Sequence, residues 1–267
     1  MLTLLLRRKR PILIGVVHLL ATPGSPRFSG DVSALLERAA QDARNLIGGG
    51  CDALIVENFG DLPFHKSHVP PETVATLALA IAAVRQANPG AMVGVNVLRN
   101  DARAALGLCA ATSASFLRVN VHTGAAVTDQ GVIEGDAAGT LRERARLCPG
   151  AALLVDVHVK HASPLGRESV AQAASDAIVR GLADAVIVTG QGTGYEPDVA
   201  HLASVREAIG DAKLLIGSGV TETNARELLR HANGAIVGTF FKREGKIGEP
   251  VDPERVARLR VVFDSRV

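Results

Sequence analysis

Tryptophan is absent from the 267-residue chain, tyrosine occurs once, and aromatic residues make up only 3%. So few rings leave little with which to stack single-stranded bases. They also require a core built from Ala, Val, Leu and Ile, which favours helices packed on a parallel sheet over an aromatic-rich sandwich. Cysteine is scarce too. Cys51, Cys109 and Cys148 stand far apart without C-x-x-C spacing, which argues against a disulfide framework or a cysteine zinc knuckle and makes a reducing cytoplasm the expected compartment. Neither sign of charge dominates, with 29 Lys and Arg against 27 Asp and Glu, so nothing marks a nucleic-acid binder or a polybasic adhesin. No stretch reaches the ~20 uninterrupted apolar residues of a spanning helix. At the N-terminus apolar Met1–Leu6 precedes basic Arg7–Arg10, the reverse of a secretory signal. The expectation is a soluble cytoplasmic protein, with peripheral membrane contact left open.

What the chain does have is a repeating pattern. Short β-branched runs, at 12–17, 53–57, 92–98, 116–121, 153–159, 185–189, 213–217 and 235–238, alternate with amphipathic segments at 31–47, 71–86, 102–110, 137–147, 168–180, 197–209, 222–229 and 253–262. Several segments open with cap chemistry: Asp252 before Pro253, Thr221 before Glu222, and Pro71 and Pro197 at first-turn positions. Eight β-then-α units without a low-complexity linker predict an α/β fold, a single (β/α)8 TIM barrel over residues 1–267, with 1–10 a short extension. The rival open, doubly wound sheet needs a Gly-rich first turn, and no G-x-G-x-x-G follows the first strand. The Gly190–Gly194 turn matches neither a Walker loop nor a dinucleotide fingerprint.

Side chains alternate across a strand. Arg118, Asn120 and His122 therefore share one face, and Asp156, His158 and Lys160 share one face of the next strand, with valines and leucines opposite. In a barrel the apolar faces pack under helices and the polar trios point inward. Burying that many charges costs several kcal/mol each unless they pair or meet a ligand. The competing reading is a satisfied polar plug. His18, Glu57, Asn58, Asn96 and Thr189 stand at or near other strand ends and join the candidate set. Glu57 and Asp156 form a candidate acid/base pair, with His158 and Lys160 as further catalytic candidates. Asp156 and His158 offer two metal donors but no motif fixes a third, so no cofactor is expected and a divalent ion is the weaker option. Gly217-Ser218-Gly219 and Gly238-Thr239 follow strands seven and eight, where barrels recurrently hold phosphate, and Lys242 is a candidate cation there.

The segments 18–26, Val56–Asp61, Val69–Val74, Gly94–Asn100, Arg118–Gly124, Thr128–Gly131, Asp156–His161, Gly217–Thr221 and Ile236–Thr239 together resemble the BtpA/SgcQ family, in order and over nearly the whole chain. Thr22 departs from the pattern, where a larger apolar residue is expected, and Gln191-Gly192 matches loosely. The resemblance implies a TIM barrel. It also implies two functional contexts: accumulation of photosystem I at thylakoid membranes in one branch, and sugar-utilisation gene clusters in another.

The first functional expectation is an enzyme, a lyase, hydrolase or isomerase, that acts on a phosphorylated sugar or nucleoside-like metabolite at the C-terminal barrel mouth and assembles as a homo-oligomer. The alternative is a non-enzymatic biogenesis or stabilisation factor for a membrane protein complex such as photosystem I. The number of inward polar residues leans towards the enzyme, because an assembly factor has no need of them.

Overall fold

A computed structural model describes residues 10–159, 161–190 and 198–265. Eight parallel strands close into a barrel: β1 (Ile12–His18), β2 (Ala53–Glu57), β3 (Met92–Asn96), β4 (Phe116–Val119), β7 (Ala152–Val157), β9 (Ala185–Val188), β10 (Lys213–Ile216) and β11 (Gly234–Val237), with β11 pairing back onto β1. Around them run α1 (Val32–Gly48), α2 (Pro71–Ala87), α3 (Ala102–Thr112), α4 (Ala137–Leu147), α5 (Val170–Val179), α6 (Val199–Ile209), α7 (Ala225–Leu228) and α8 (Pro253–Asp264). The predicted TIM barrel is the observed fold. Carboxylates and a serine set where the helices begin. Asp31, Asp101, Asp136, Ser169, Asp198 and Asp252 each accept a hydrogen bond from an amide of the first turn, satisfying a donor the helix itself leaves unpaired.

A second, three-stranded antiparallel sheet was not anticipated. It consists of β5 (Ala125–Thr128), β6 (Gly131–Glu134) and β8 (Ala162–Pro164), in the order β6-β5-β8. The segments that form it follow β4 and β7, so it rises from the C-terminal end of the barrel. Val121, Ala126, Ile133 and Val159 form its own small apolar seat.

Period-two alternation divides the apolar residues into two cores. The outward faces (Leu13, Leu54, Val93, Leu117, Val155, Val186 and Leu214 among them) pack beneath the helices. The inward faces place Ile12, Ile14, Val16, Ile55, Phe116, Leu154, Ile187, Leu215 and Ile236 in a separate plug inside the barrel. Phe116 is the largest side chain of that plug, and it fits because β3 carries glycine beside it. A Cβ at Gly94 would overlap the Phe116 ring. Above this apolar floor the register sets His18 beside Glu57, Glu57 beside Asn96, and Asn96 beside Arg118, one polar row across β1 to β4.

Thr22 is fully buried, yet its departure from the expected apolar residue leaves no stranded group. Its amide and hydroxyl bond the Asp61 carboxylate at 2.7–3.0 Å, and its Oγ1 lies 3.1 Å from that of Thr73. Among the described residues no helix is long and apolar enough to cross a membrane.

The floor carries a stability prediction. Gly94→Ala forces the Phe116 ring aside and is expected to cost about 1–3 kcal/mol through overpacking, read as a lower urea midpoint. Adding Phe116→Leu should return part of the loss. An unchanged midpoint in the single variant would contradict the tight fit.

Candidate active site at the barrel mouth

The polar row opens into a mouth with two lobes. The first, about 440 Å³, is lined by His18, Glu57, Arg118, Gly217, Ser218, Gly219, Thr221, Gly238, Thr239 and Arg255 among others. The second, about 390 Å³, is lined by Glu57, Phe59, Leu62, Phe64, Asn96, Leu98, Arg99, Arg118, Asn120, Asp129 and His161. Glu57 and Arg118 line both, so they form the wall where the lobes meet. Each lobe has the size of a small-molecule pocket.

Arg118 is held by Asp156 through two parallel bonds, Nε to Oδ2 at 2.9 Å and Nη2 to Oδ1 at 2.8 Å. Asn120 Nδ2 donates to the same Asp156 Oδ2 at 2.6 Å. Because Arg118 pairs across the sheet with Leu154, Asp156 stands two residues further along β7, level with the guanidinium as it bends towards the rim. Burial opposes the Arg118 cation, but the charge of Asp156 and its hydrogen bonds more than offset that, and the guanidinium ends up more basic than usual. The Asp156 side chain is fully buried, with three donors on its two oxygens. It is therefore an anchor for Arg118, whereas Glu57, bonded at Oε2 by Asn96 Nδ2 at 2.8 Å, reaches both lobes.

The two asparagines are oriented by these carboxylates. An ionised carboxylate only accepts, so the amide nitrogens of Asn96 and Asn120 must face Glu57 and Asp156. Their Oδ1 atoms are buried and have no hydrogen-bond partner among the described residues.

Glycine makes room for neighbouring side chains at two strand ends. A Cβ at Gly238 would stand 2.5 Å from His18 Cε1, and one at Gly217 would meet Ile187 and Thr189 and come within 3.6 Å of Arg118 Nη2. Thr189 thus packs against the seventh-strand turn rather than lining either lobe. Gly219 has φ +73°, a left-handed conformation that glycine adopts without strain. Asn224 closes this turn, accepting from Thr221 N at 2.8 Å and donating to Gly219 O at 2.9 Å.

Several expected placements require correction. The expected helix at 222–229 shrinks to the four residues of α7, and Gly238-Thr239 leads into a 3-10 turn, Thr239–Phe241. The two turns therefore lead into no long helix, and what they offer the first lobe is turn amides and hydroxyls. Lys242 points away from it: the ammonium is fully buried and bonded to Asp42 Oδ2 at 2.6 Å. Arg255, in the first turn of α8, lines the lobe alongside Arg118, and the Arg255 guanidinium lies 4.6 Å from the Phe240 ring centroid. Nothing in its local sequence marks it, since it reaches the mouth only through the docking of the last helix.

His122 leaves the mouth. β4 ends at Val119, and His122 Nε2 lies 2.8 Å from Gly181 O below α5; burial lowers its pKa, with that carbonyl pulling the other way. β7 ends at Val157, and His158 takes φ +50°, which breaks the alternation that would have kept it level with Asp156. It nonetheless lines a small cavity with Asn120, Asp156 and Glu168 beside β8 and α5, and burial lowers its pKa against the pull of Glu168. Asn58 is spent on a loop clamp: Leu98 N donates to its Oδ1 at 2.8 Å, and its Nδ2 reaches Asp61 at 3.0 Å. Lys160 and the turn Gln191–Gly194 lie outside the described residues. Among the described residues no three His, Cys, Asp or Glu side chains gather as metal ligands.

Comparison with known proteins follows the geometry. Residues 8–263 match the BtpA family. The chain is 46% identical over 244 residues to the photosystem I biogenesis protein BtpA of Synechocystis, covering 91% of this chain and 85% of that one. Among solved structures, phosphoribosyl anthranilate isomerase from Thermus thermophilus aligns with TM-score 0.59 at 13% identity, covering 95% and 98% of the two chains. Geranylgeranylglyceryl phosphate synthase from Thermoplasma acidophilum, with sn-glycerol-1-phosphate, aligns with TM-score 0.59 at 14% identity, covering 98% and 96%. At such identity these structures share the barrel.

The Arg118–Asp156 pair predicts its own cost. Asp156→Ala leaves a buried guanidinium without its partner and is expected to destabilise by about 3–5 kcal/mol. The double variant Arg118→Met/Asp156→Leu should regain most of that in chemical denaturation. A loss below 1 kcal/mol in the single variant would mean that water reaches and screens the pair.

Proposed function

The chain belongs to the BtpA family, and from that premise and the mouth geometry together we propose an enzyme that acts on a phosphorylated sugar or nucleoside-like metabolite by acid–base chemistry. The observation that carries this reading is the shared wall. Two small-residue turns, at Gly217–Gly219 and Gly238–Thr239, open onto the same lobe as a carboxylate and a fixed guanidinium.

In this proposal the phosphate lies between the turns, met by backbone amides, the Ser218 and Thr239 hydroxyls and Arg255. Glu57 moves the proton at the reacting sugar carbon or oxygen, within reach because one of its oxygens is already fixed by Asn96. Arg118 stabilises developing negative charge. Its cost of ordering is met in advance by Asp156 and Asn120, the preorganisation that makes such groups effective in a dry site. Asp156 acts through Arg118 and is a positioning residue in this scheme. His18 and Lys160 remain as substrate-side and catalytic candidates, and a homo-oligomer remains the expected assembly.

A second reading rests on one observation, the 46% identical relative named for photosystem I biogenesis. Under it the chain is a stabilisation factor that meets a membrane complex peripherally, and the mouth is a polar plug.

Calorimetric titration separates the two. Ribose 5-phosphate is expected to bind at least tenfold more tightly than ribose, and Gly219→Asp to abolish that preference through bulk and like charge. Because Asp tolerates a left-handed φ at a cost of roughly 1–2 kcal/mol, the variant should stay folded. Equal affinity for the two sugars would reject the phosphate lobe and favour the biogenesis reading.

A further inference from the structure

The second lobe differs in chemistry from the first. Phe59 and Phe64 meet edge-on with ring centroids 6.3 Å apart, and Leu62 and Leu98 complete an apolar wall. The same lobe is lined by Asn96 and Asn120, whose Oδ1 atoms are buried acceptors with no partner among the described residues. The residues are 1% and 3% exposed, and their amides cannot be reversed without pointing oxygen at a carboxylate. A buried acceptor left without a donor carries the full penalty of its lost hydration, so an occupant of this lobe gains by bringing N–H groups.

Each simpler occupant leaves part of the lobe unsatisfied. An alkyl chain would suit the phenylalanines and leucines but strand both carboxamide oxygens. A second sugar would satisfy the oxygens but bury hydroxyls against four apolar side chains. A flat, N–H-bearing ring answers both walls, since its faces and edges pack on the phenylalanines while its donors reach the asparagines.

We propose that the ligand is a phosphorylated N-glycoside, with its phosphate in the first lobe, its sugar at the Glu57–Arg118 wall, and a planar, N–H-bearing ring in the second lobe. This deepens the function proposed above and rests on it for the placement of the phosphate. It assigns Phe59, Phe64, Asn96 and Asn120 as determinants of specificity.

The test is calorimetric titration with ribose 5-phosphate, the 5′-monophosphates of guanosine, inosine, adenosine, cytidine and uridine, and the parent nucleosides. At least one monophosphate is expected to bind tenfold or more tightly than ribose 5-phosphate. Phe64→Ala, a half-buried position whose truncation should leave the melting temperature nearly unchanged, is expected to erase that gain. If no monophosphate exceeds ribose 5-phosphate, or if Phe64→Ala keeps the full gain, the ring lobe is overturned while the phosphate lobe stands. If a nucleoside binds as tightly as its monophosphate and Phe64→Ala weakens both, the ring lobe is supported and the phosphate reading falls. Binding of none of these probes overturns both.

Discussion

The mouth depends on one buried interaction, the two-pronged pairing of Arg118 with Asp156. A guanidinium beside an apolar plug is costly unless a carboxylate takes both of its donors, and β7 supplies that carboxylate at the level the register allows. Asn120 uses the same carboxylate, so its amide is oriented as a by-product. Asn96 is oriented in the same way by Glu57. Two carboxylates thereby fix one cation and two amides, and the side chains that line the lobes are already ordered. Polar networks of this kind are favourable only when fully paired, and the Oδ1 atoms of Asn96 and Asn120 are buried without a partner among the described residues.

Below this layer the barrel interior is apolar. Phe116, accommodated by Gly94, and the surrounding Ile and Leu side chains seal the interior, so the polar row has solvent on one side only. The first lobe is made differently. The turns that line it lead into no long helix, and the donors around it are turn amides, hydroxyls, Arg118 and the first-turn Arg255 of α8. The Lys242–Asp42 pair stands behind it, where burial lowers the lysine pKa and Asp42 opposes the shift; it ties α1 to the turn after β11.

The barrel was legible because its information is local and repetitive. Alternation in Leu117-Arg118-Val119 and Val155-Asp156-Val157 shows which faces turn inward, and caps such as Asp31 and Asp252 mark where helices start. The inward Arg118 and Asp156 followed from the same alternation, and Glu57 from its place at a strand end. What alternation could not show is where a strand stops. His122 and His158 were placed by continuing β4 and β7 two or more residues too far, and at His158 a left-handed backbone cancels the period. Partnership was equally hidden. Asp156 and Glu57 look alike in sequence, and only the bidentate contact separates an anchor from a group that reaches the lobes. Asn58, Lys242 and Arg255 were assigned or overlooked because their roles depend on contacts with chain 40, 200 and 15 residues away.

The central claim is that Glu57 and Arg118 form the wall between an anion lobe and the rest of the ligand. A crystal structure of the protein with ribose 5-phosphate addresses it directly. The account predicts phosphate oxygens within hydrogen-bond distance of the amides at Gly219 and Thr239, and the sugar ring against Glu57 with Arg118 still paired to Asp156. Phosphate bound instead beside Arg99 in the second lobe, or an Arg118 released from Asp156 to take the phosphate itself, would contradict it.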